Sequence, residues 1–101
     1  MDAVLRDNPG AHRYELHIDD QLAAVVEYSD RDGGRAIMHT EVGEGFEGRG
    51  LGSQLVRYVL DDARRQGRMI LPYCSFVRDY IARHADDVDL VPAERRGRFN
   101  L

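Results

Sequence analysis

The chain has 101 residues, 43% hydrophobic and 32% charged, enough for one compact domain with a single core and too few for two. Its net charge of -4 argues against a general nucleic-acid surface, which needs clustered basic charge, and suits a cationic partner better. All fourteen basic side chains are arginine, so a phosphate loop ending in Gly-Lys has no lysine to use; the single cysteine, Cys74, excludes an intramolecular disulfide and a cysteine-based zinc cluster.

No apolar run approaches the roughly 20 residues that span a bilayer. Residues 1–10 (MDAVLRDNPG) lack the basic-then-apolar pattern of an export signal, so the expected address is the cytoplasm, away from membranes. Residues 12–18 (HRYELHI) alternate, with Tyr14, Leu16 and Ile18 on one face, as a half-buried strand does. Asp19-Asp20 reads as a tight turn into a second strand at 22–28 (LAAVVEY). The run Ser29-Asp-Arg-Asp-Gly-Gly34 then turns the chain into a third at 36–42 (AIMHTEV). Three successive strands imply an antiparallel meander.

From Leu51 the period changes. Leu51, Leu55, Val56, Val59, Leu60 and Ala63 recur every three or four residues and mark one apolar stripe of a helix. Arg64 and Arg65 complement its C-terminal dipole, and Gly67 can stop it. Residues 68–74 (RMILPYC) read as a short strand whose Pro72 suits an edge or a strand end. A second helix begins at Ser75, with Phe76, Val77, Tyr80, Ile81 and His84 on one face. Beyond Asp89 the chain turns at Pro92. The charge of residues 93–101 (AERRGRFNL) suggests an exposed tail, although Phe99 and Leu101 could anchor it. The expected order is βββαβα: an α+β domain with a mixed, mainly antiparallel sheet and a crossover helix, its core at about 12–91 and its tail at 92–101.

Residues 41–56 (EVGEGFEGRGLGSQLV) join strand to helix through glycines at 43, 45, 48, 50 and 52. Glycine lets backbone amides approach an anion, yet Glu41, Glu44 and Glu47 stand in the same stretch. Gly43-x-Gly45-x-x-Gly48 matches the dinucleotide fingerprint by letter. It fails by context, because the chain has one crossover unit and no ribose-binding acid about 20 residues further on.

The frame Glu47-Gly-Arg-Gly-Leu-Gly52 resembles the [Q/R]-x-x-G-x-[G/A] signature of the GNAT superfamily of N-acetyltransferases, which lies between the fourth strand and the following helix. Glu47 departs from that pattern, where Gln or Arg is usual; it is expected to turn outward or to pair with Arg49. Together with His39-Thr-Glu-Val42, Pro72-x-Cys-Ser-Phe-Val77, Tyr80-Ile81 and Arg83-His84, the frame is similar to the minimal GNAT subgroup of about a hundred residues.

The resemblance implies acetyl-coenzyme A as cosubstrate, no metal, and an amine-bearing acceptor that is a small molecule or a protein. The backbone from Gly48 through Arg49, Gly50, Leu51 and Gly52 to Ser53 would hold the coenzyme's pyrophosphate. The fourth and fifth strands of the family splay apart, which would set Thr40 to Val42 and Tyr73-Cys74 around the thioester. Glu41 is a candidate base or a solvated strand-edge acid. His39, on its face by alternation, is a second base or a hydrogen-bonded sheet histidine.

Cys74 precedes a helix start, where helix amides can activate a thiol; it is an acetyl acceptor, a proton donor, a thioester-positioning group or core filler. Tyr80 is the acid that protonates the leaving thiolate, or part of an apolar stripe. Arg78 and Arg83 face solvent or reach the coenzyme's phosphates. Larger relatives insert two helices between their first strands as an acceptor wall, whereas only Asp19-Asp20 is available here. A non-catalytic coenzyme A-binding module is therefore the alternative, and the expected assembly is a monomer or weak homodimer.

Overall fold

The computed structural model describes residues 2–101. Strands β1 (Ala3–Asn8), β2 (Arg13–Ile18), β3 (Gln21–Arg31) and β4 (Gly34–Val42) form an antiparallel meander. Its hairpins carry the turn residues the sequence signals: Asp19 and Asp20 at φ 50° and 65°, Asp32 and Gly33 at φ 53° and 82°. That left-handed pair matches the twist of the flanking strands. Helix α1 (Leu51–Gln66) then crosses to β5 (Ile70–Pro72), which pairs parallel with β4 and completes a sheet in the order β1-β2-β3-β4-β5.

The α+β class and the crossover helix are as expected. Four strands rather than three precede α1. The additional one, β1, is illegible because its alternation is weak: Ala3, Leu5 and Asp7 are only half-buried, and Val4 is 58% exposed. A single 3-10 turn at Pro9–Ala11 links it to β2. β5 is shorter than residues 68–74: the Arg68 amide still closes the end of α1 on the Ala63 carbonyl, and Tyr73 and Cys74 lie past its last paired residue, Pro72.

One face of the sheet carries both helices. α1 lays Leu55, Val56, Val59, Leu60 and Ala63 across β2, β3 and β4, where all five are fully buried, each large side chain contributing roughly 1.5–3 kcal/mol. It stops at Gly67, whose φ of 65° lets its amide reach back to the Ala63 and Arg64 carbonyls. α2 (Ser75–Arg83) lies beside α1, with the Arg57 guanidinium of α1 5.8 Å from the Tyr80 ring centroid. The chain then folds back through 3-10 turns at Ala85–Leu90 and Ala93–Phe99. Arg57 clamps Asp87 through bonds of 2.7 and 2.8 Å. Phe99 is buried and Leu101 packs on the core, so these two apolar contacts outweigh the charge of the intervening arginines.

A buried polar network braces the end of the sheet remote from the glycine loop. Arg35, 4% exposed, donates to both carboxylate oxygens of Asp30 (2.7 and 2.9 Å) and to the Tyr14 hydroxyl (2.8 Å), and its guanidinium lies 3.7 Å over the Tyr28 ring. Tyr14 in turn donates to Asp62 on α1, and Tyr28 to Asp7 on β1. Burial, aided by the hydrogen bond to Asp7, pushes the Tyr28 hydroxyl up to about 12. Four strands and a helix are thereby held in one register.

Candidate functional site

β4 runs beyond the end of β5. The two pair only from Arg35↔Ile70 to Ile37↔Pro72, with a last bond from the Cys74 amide to the Ile37 carbonyl at 2.9 Å. Pro72 closes β5, and α2 starts at Ser75, so the chain leaves the sheet while β4 continues to Val42. Beyond Ile37, β4 is thereby left without a paired strand on that side, a gap in the sheet. Arg78 locks its β5 arm by donating to the Tyr73 carbonyl at 2.7 Å and to the Pro72 carbonyl at 3.3 Å. Neither solvent nor a phosphate is needed to explain this arginine.

A bulge aims the other arm. The β3–β4 register steps from Glu27↔His39 to Tyr28↔Ile37, leaving Met38 as the extra residue. Further along, the Gly43 amide donates to Ala23 on β3. Hydrogen-bonding direction alternates along a strand, so the amides of Val42 and Thr40 turn to the gap side. Across the gap, Thr40 Oγ1 and Cys74 Sγ are 3.4 Å apart, with Cys74 buried.

The same alternation splits the remaining candidates between the two faces. Val42 points to the helix side, where its Cγ2 lies 3.5 Å from the place a Cβ on Gly52 would take. His39 and Glu41 share the opposite face. There His39 Nε2 and Glu41 Oε1 are 3.2 Å apart, with side chains 53% and 67% exposed. The nearby cavity at Glu41 holds only about 70 Å³, so that face is open rather than enclosed. The Tyr80 ring stacks on His84 at 3.9 Å, and the Arg57 guanidinium lies 5.8 Å from its centroid, between the two helices.

On the helix side the glycine loop delivers the chain to the N-terminus of α1. Gly45, Gly48 and Gly50 have φ of 88°, 80° and 73°, a region other residues enter only with strain, and Gly50 is the N-cap. The first intrahelical bond is Gln54 N–H to the Gly50 carbonyl at 3.0 Å. The amides of Leu51, Gly52 and Ser53 thus precede any carbonyl of their own helix and present the positive end of its dipole.

Gly52 has a separate reason to be glycine. A Cβ there would stand 3.1 Å from Phe76 Cζ, so its absence lets α2 close on the start of α1. The Arg49 guanidinium lies 5.5 Å over the Phe46 ring, and a cavity of about 490 Å³ lined partly by Arg49, Leu51 and Gln54 opens beside the helix N-terminus. Glu47 is exposed, and its Oε1 accepts the Gly45 amide at 2.8 Å; the awkward carboxylate fastens its own loop.

The helix-free face of the sheet holds a second charged group that sequence reasoning missed. Glu15 is 2% exposed and accepts from His17 Nε2 and Arg13 Nε at 2.8 Å, Asn8 Nδ2 at 2.9 Å and Arg6 Nη2 at 3.3 Å. The His17 contact first, then those of Asn8, Arg13 and Arg6, hold its carboxyl down at about 2 against the opposing pull of burial. The HRYELHI alternation does not mark that glutamate as buried, because two of its four partners, Arg6 and Asn8, arrive from β1. Among the described residues, no three metal-ligating side chains gather. None of the helices there is long and apolar enough to cross a membrane.

The family model for GCN5-related N-acetyl-transferases matches residues 13–90 of the chain. The fold is similar to the solution NMR structure of a GCN5-like protein from Staphylococcus aureus, with a TM-score of 0.67 at 21% identity over 88% of this chain and 87% of that one. No curated protein matches the sequence.

Proposed function

The chain belongs to the GCN5-related N-acetyltransferase family, and from that premise we propose that it moves an acetyl group from acetyl-coenzyme A to a primary amine by direct attack in a ternary complex. The observation that carries the proposal is the gap between β4 and β5, flanked by Thr40 and Cys74 and adjoining a helix N-terminus behind three left-handed glycines. An anionic cosubstrate fits that junction without a lysine. Amides at 48–53 and the helix dipole supply the positive potential, and Arg49 adds a cation at the loop.

With pyrophosphate on the helix side, the pantetheine arm runs into the gap, and its thioester carbonyl meets the outward amides of Thr40 and Val42. Those donors stabilise the oxyanion that forms as the amine nitrogen adds to the carbonyl carbon. The acceptor approaches from the opposite face, where Glu41 takes the ammonium proton and His39 orients the carboxylate. Collapse of the tetrahedral intermediate breaks the carbon–sulfur bond and expels the thiolate beside Cys74 and Thr40. We assign its protonation to that pair, with Tyr80 as the rival donor. The product is an acetylated amine and free coenzyme A.

A binding module without catalysis is favoured by one observation: β1 and β2 are joined only through the 3-10 turn Pro9–Ala11, and β2 and β3 only through Asp19-Asp20, so neither connection supplies a helical wall to the acceptor face. Calorimetry with coenzyme A, followed by mass spectrometry after incubation with acetyl-coenzyme A and an amine panel, separates the two. Binding with acetylated amine supports transfer; binding without it supports the module; absence of binding sinks both. Cys74→Ala with full turnover removes an acetyl-cysteine intermediate, and Tyr80→Phe with full turnover removes the rival proton donor.

A further inference from the structure

Arg31 stands apart from the arginines of the Arg35 and Arg57 networks. Its guanidinium lies 5.4 Å from the Tyr73 ring centroid, and its Nη2 is 3.5 Å from Met38 Sδ. Among the described residues no carboxylate lies within ion-pairing distance of it, in a chain with 18 acidic side chains against 14 basic ones. A stacked, sulfur-backed guanidinium is oriented without being neutralised, and it keeps N–H donors for a planar anion.

Its position gives that donor edge a purpose. Strand alternation turns Tyr28 and Asp30 to the helices, and therefore Ser29 and Arg31 to the other face, the one that carries His39 and Glu41. Tyr73 immediately precedes Cys74 at the mouth of the gap. Phe99 pins the Tyr73 ring edge-on at 5.2 Å and 80°, while Arg95 ties the same C-terminal turn to the Asp32 carbonyl at 2.9 Å. The C-terminal segment thus supplies a buttress beside an acceptor entrance that the short β2–β3 connection leaves open.

Resting on the acetyl-transfer reading, we propose that the acceptor is a zwitterionic amine whose carboxylate docks on Arg31 while its nitrogen meets Glu41. Arg31 pairs with Gly34, at the end of β4 far from Glu41, so the carboxylate and the nitrogen of one acceptor must lie several bonds apart. An ω-amino acid or a lysine ε-amine with a free α-carboxylate spans that distance, and an α-amine beside its own carboxylate does not.

The experiment compares acetyl transfer to 6-aminohexanoate, hexylamine and 1,6-diaminohexane by wild type, Arg31→Gln and Arg31→Glu. In the wild type, kcat/KM should favour 6-aminohexanoate over hexylamine by at least about tenfold. Arg31→Gln should abolish that preference through KM with kcat unchanged, and Arg31→Glu should invert it towards the diamine; a structural role for Arg31 would instead lower all three amines together. Transfer that ignores the carboxylate, or a preference that survives Arg31→Gln, overturns this inference and leaves acetyl transfer standing. Transfer to no amine overturns both.

Discussion

Gly52→Ala separates the two reasons for a glycine at the start of α1. The new Cβ would meet Phe76 Cζ at 3.1 Å, so the ring must retreat by about 0.3 Å to reach ordinary contact. Phe76 is 39% exposed and can swing towards solvent, and alanine is worth up to about 1 kcal/mol over glycine inside a helix. The two effects oppose each other, so stability should change by no more than about 1 kcal/mol, or about 4–8 °C in Tm for a domain of this size. Binding should barely change, because the signature the loop resembles admits alanine at this position and the new methyl faces Phe76 and Val42. Gly50→Ala is the contrast: at φ 73° an alanine is strained, the Leu51–Ser53 amides move from bonds that need about 2.9 Å, and coenzyme A affinity should fall at least tenfold, about 1.4 kcal/mol. Calorimetry with coenzyme A and a thermal melt on the same sample read both quantities. A folded Gly50→Ala protein that binds coenzyme A within twofold of wild type would refute the placement of the pyrophosphate.

Glu47→Gln keeps an oxygen to accept the Gly45 amide but removes a negative charge from the loop; coenzyme A should bind a few-fold tighter in low salt, with the gain fading as salt rises. Weaker binding in the titration would show that the loop does not face phosphate. Glu15 has a folded carboxyl at about 2 against an ordinary 4.5, so its stabilisation is present above about pH 4.5 and is lost as pH falls towards 2. The shift corresponds to about 3 kcal/mol at most, because Arg6 is mostly exposed. Acid unfolding followed by circular dichroism should be shallower in Glu15→Gln over that window, and equal slopes would exclude the network as the cause. Arg35→Met removes the donor that Asp30 and the Tyr14 hydroxyl share; because Asp30 is half exposed and keeps Arg68, and Tyr14 keeps Asp62, the cost in urea unfolding should be about 1–3 kcal/mol. A loss below about 1 kcal/mol would mean the brace is dispensable.

The hairpin turns, the α1 stripe and the loop glycines were legible because each obeys a local rule: left-handed φ at Asp19-Asp20 and Asp32-Gly33, a period of three and four, and glycine where φ exceeds 70°. β1 was not, since a strand half open to solvent need not alternate cleanly. Arg78 and Arg31 carry no local signal either. One ties the carbonyls of Pro72 and Tyr73 once the chain has turned from β5 into α2, and the other rests on a ring 42 residues further along the chain, a contact that exists only after β5 has joined the sheet.

By itself the sequence determined an α+β chain with antiparallel hairpins, a glycine-rich entry to a crossover helix, and a family likeness that names the chemistry. Those are consequences of backbone sterics and periodicity, which act over a few neighbouring residues. Tertiary structure decided which side chains share a face. The Met38 bulge and the early end of β5 together turn Thr40 and Val42 to the gap and set Glu41 and His39 on the open side. A bulge shifts the period-two pattern by one residue, and a splay depends on where a neighbouring strand stops; both are set by contacts between distant segments.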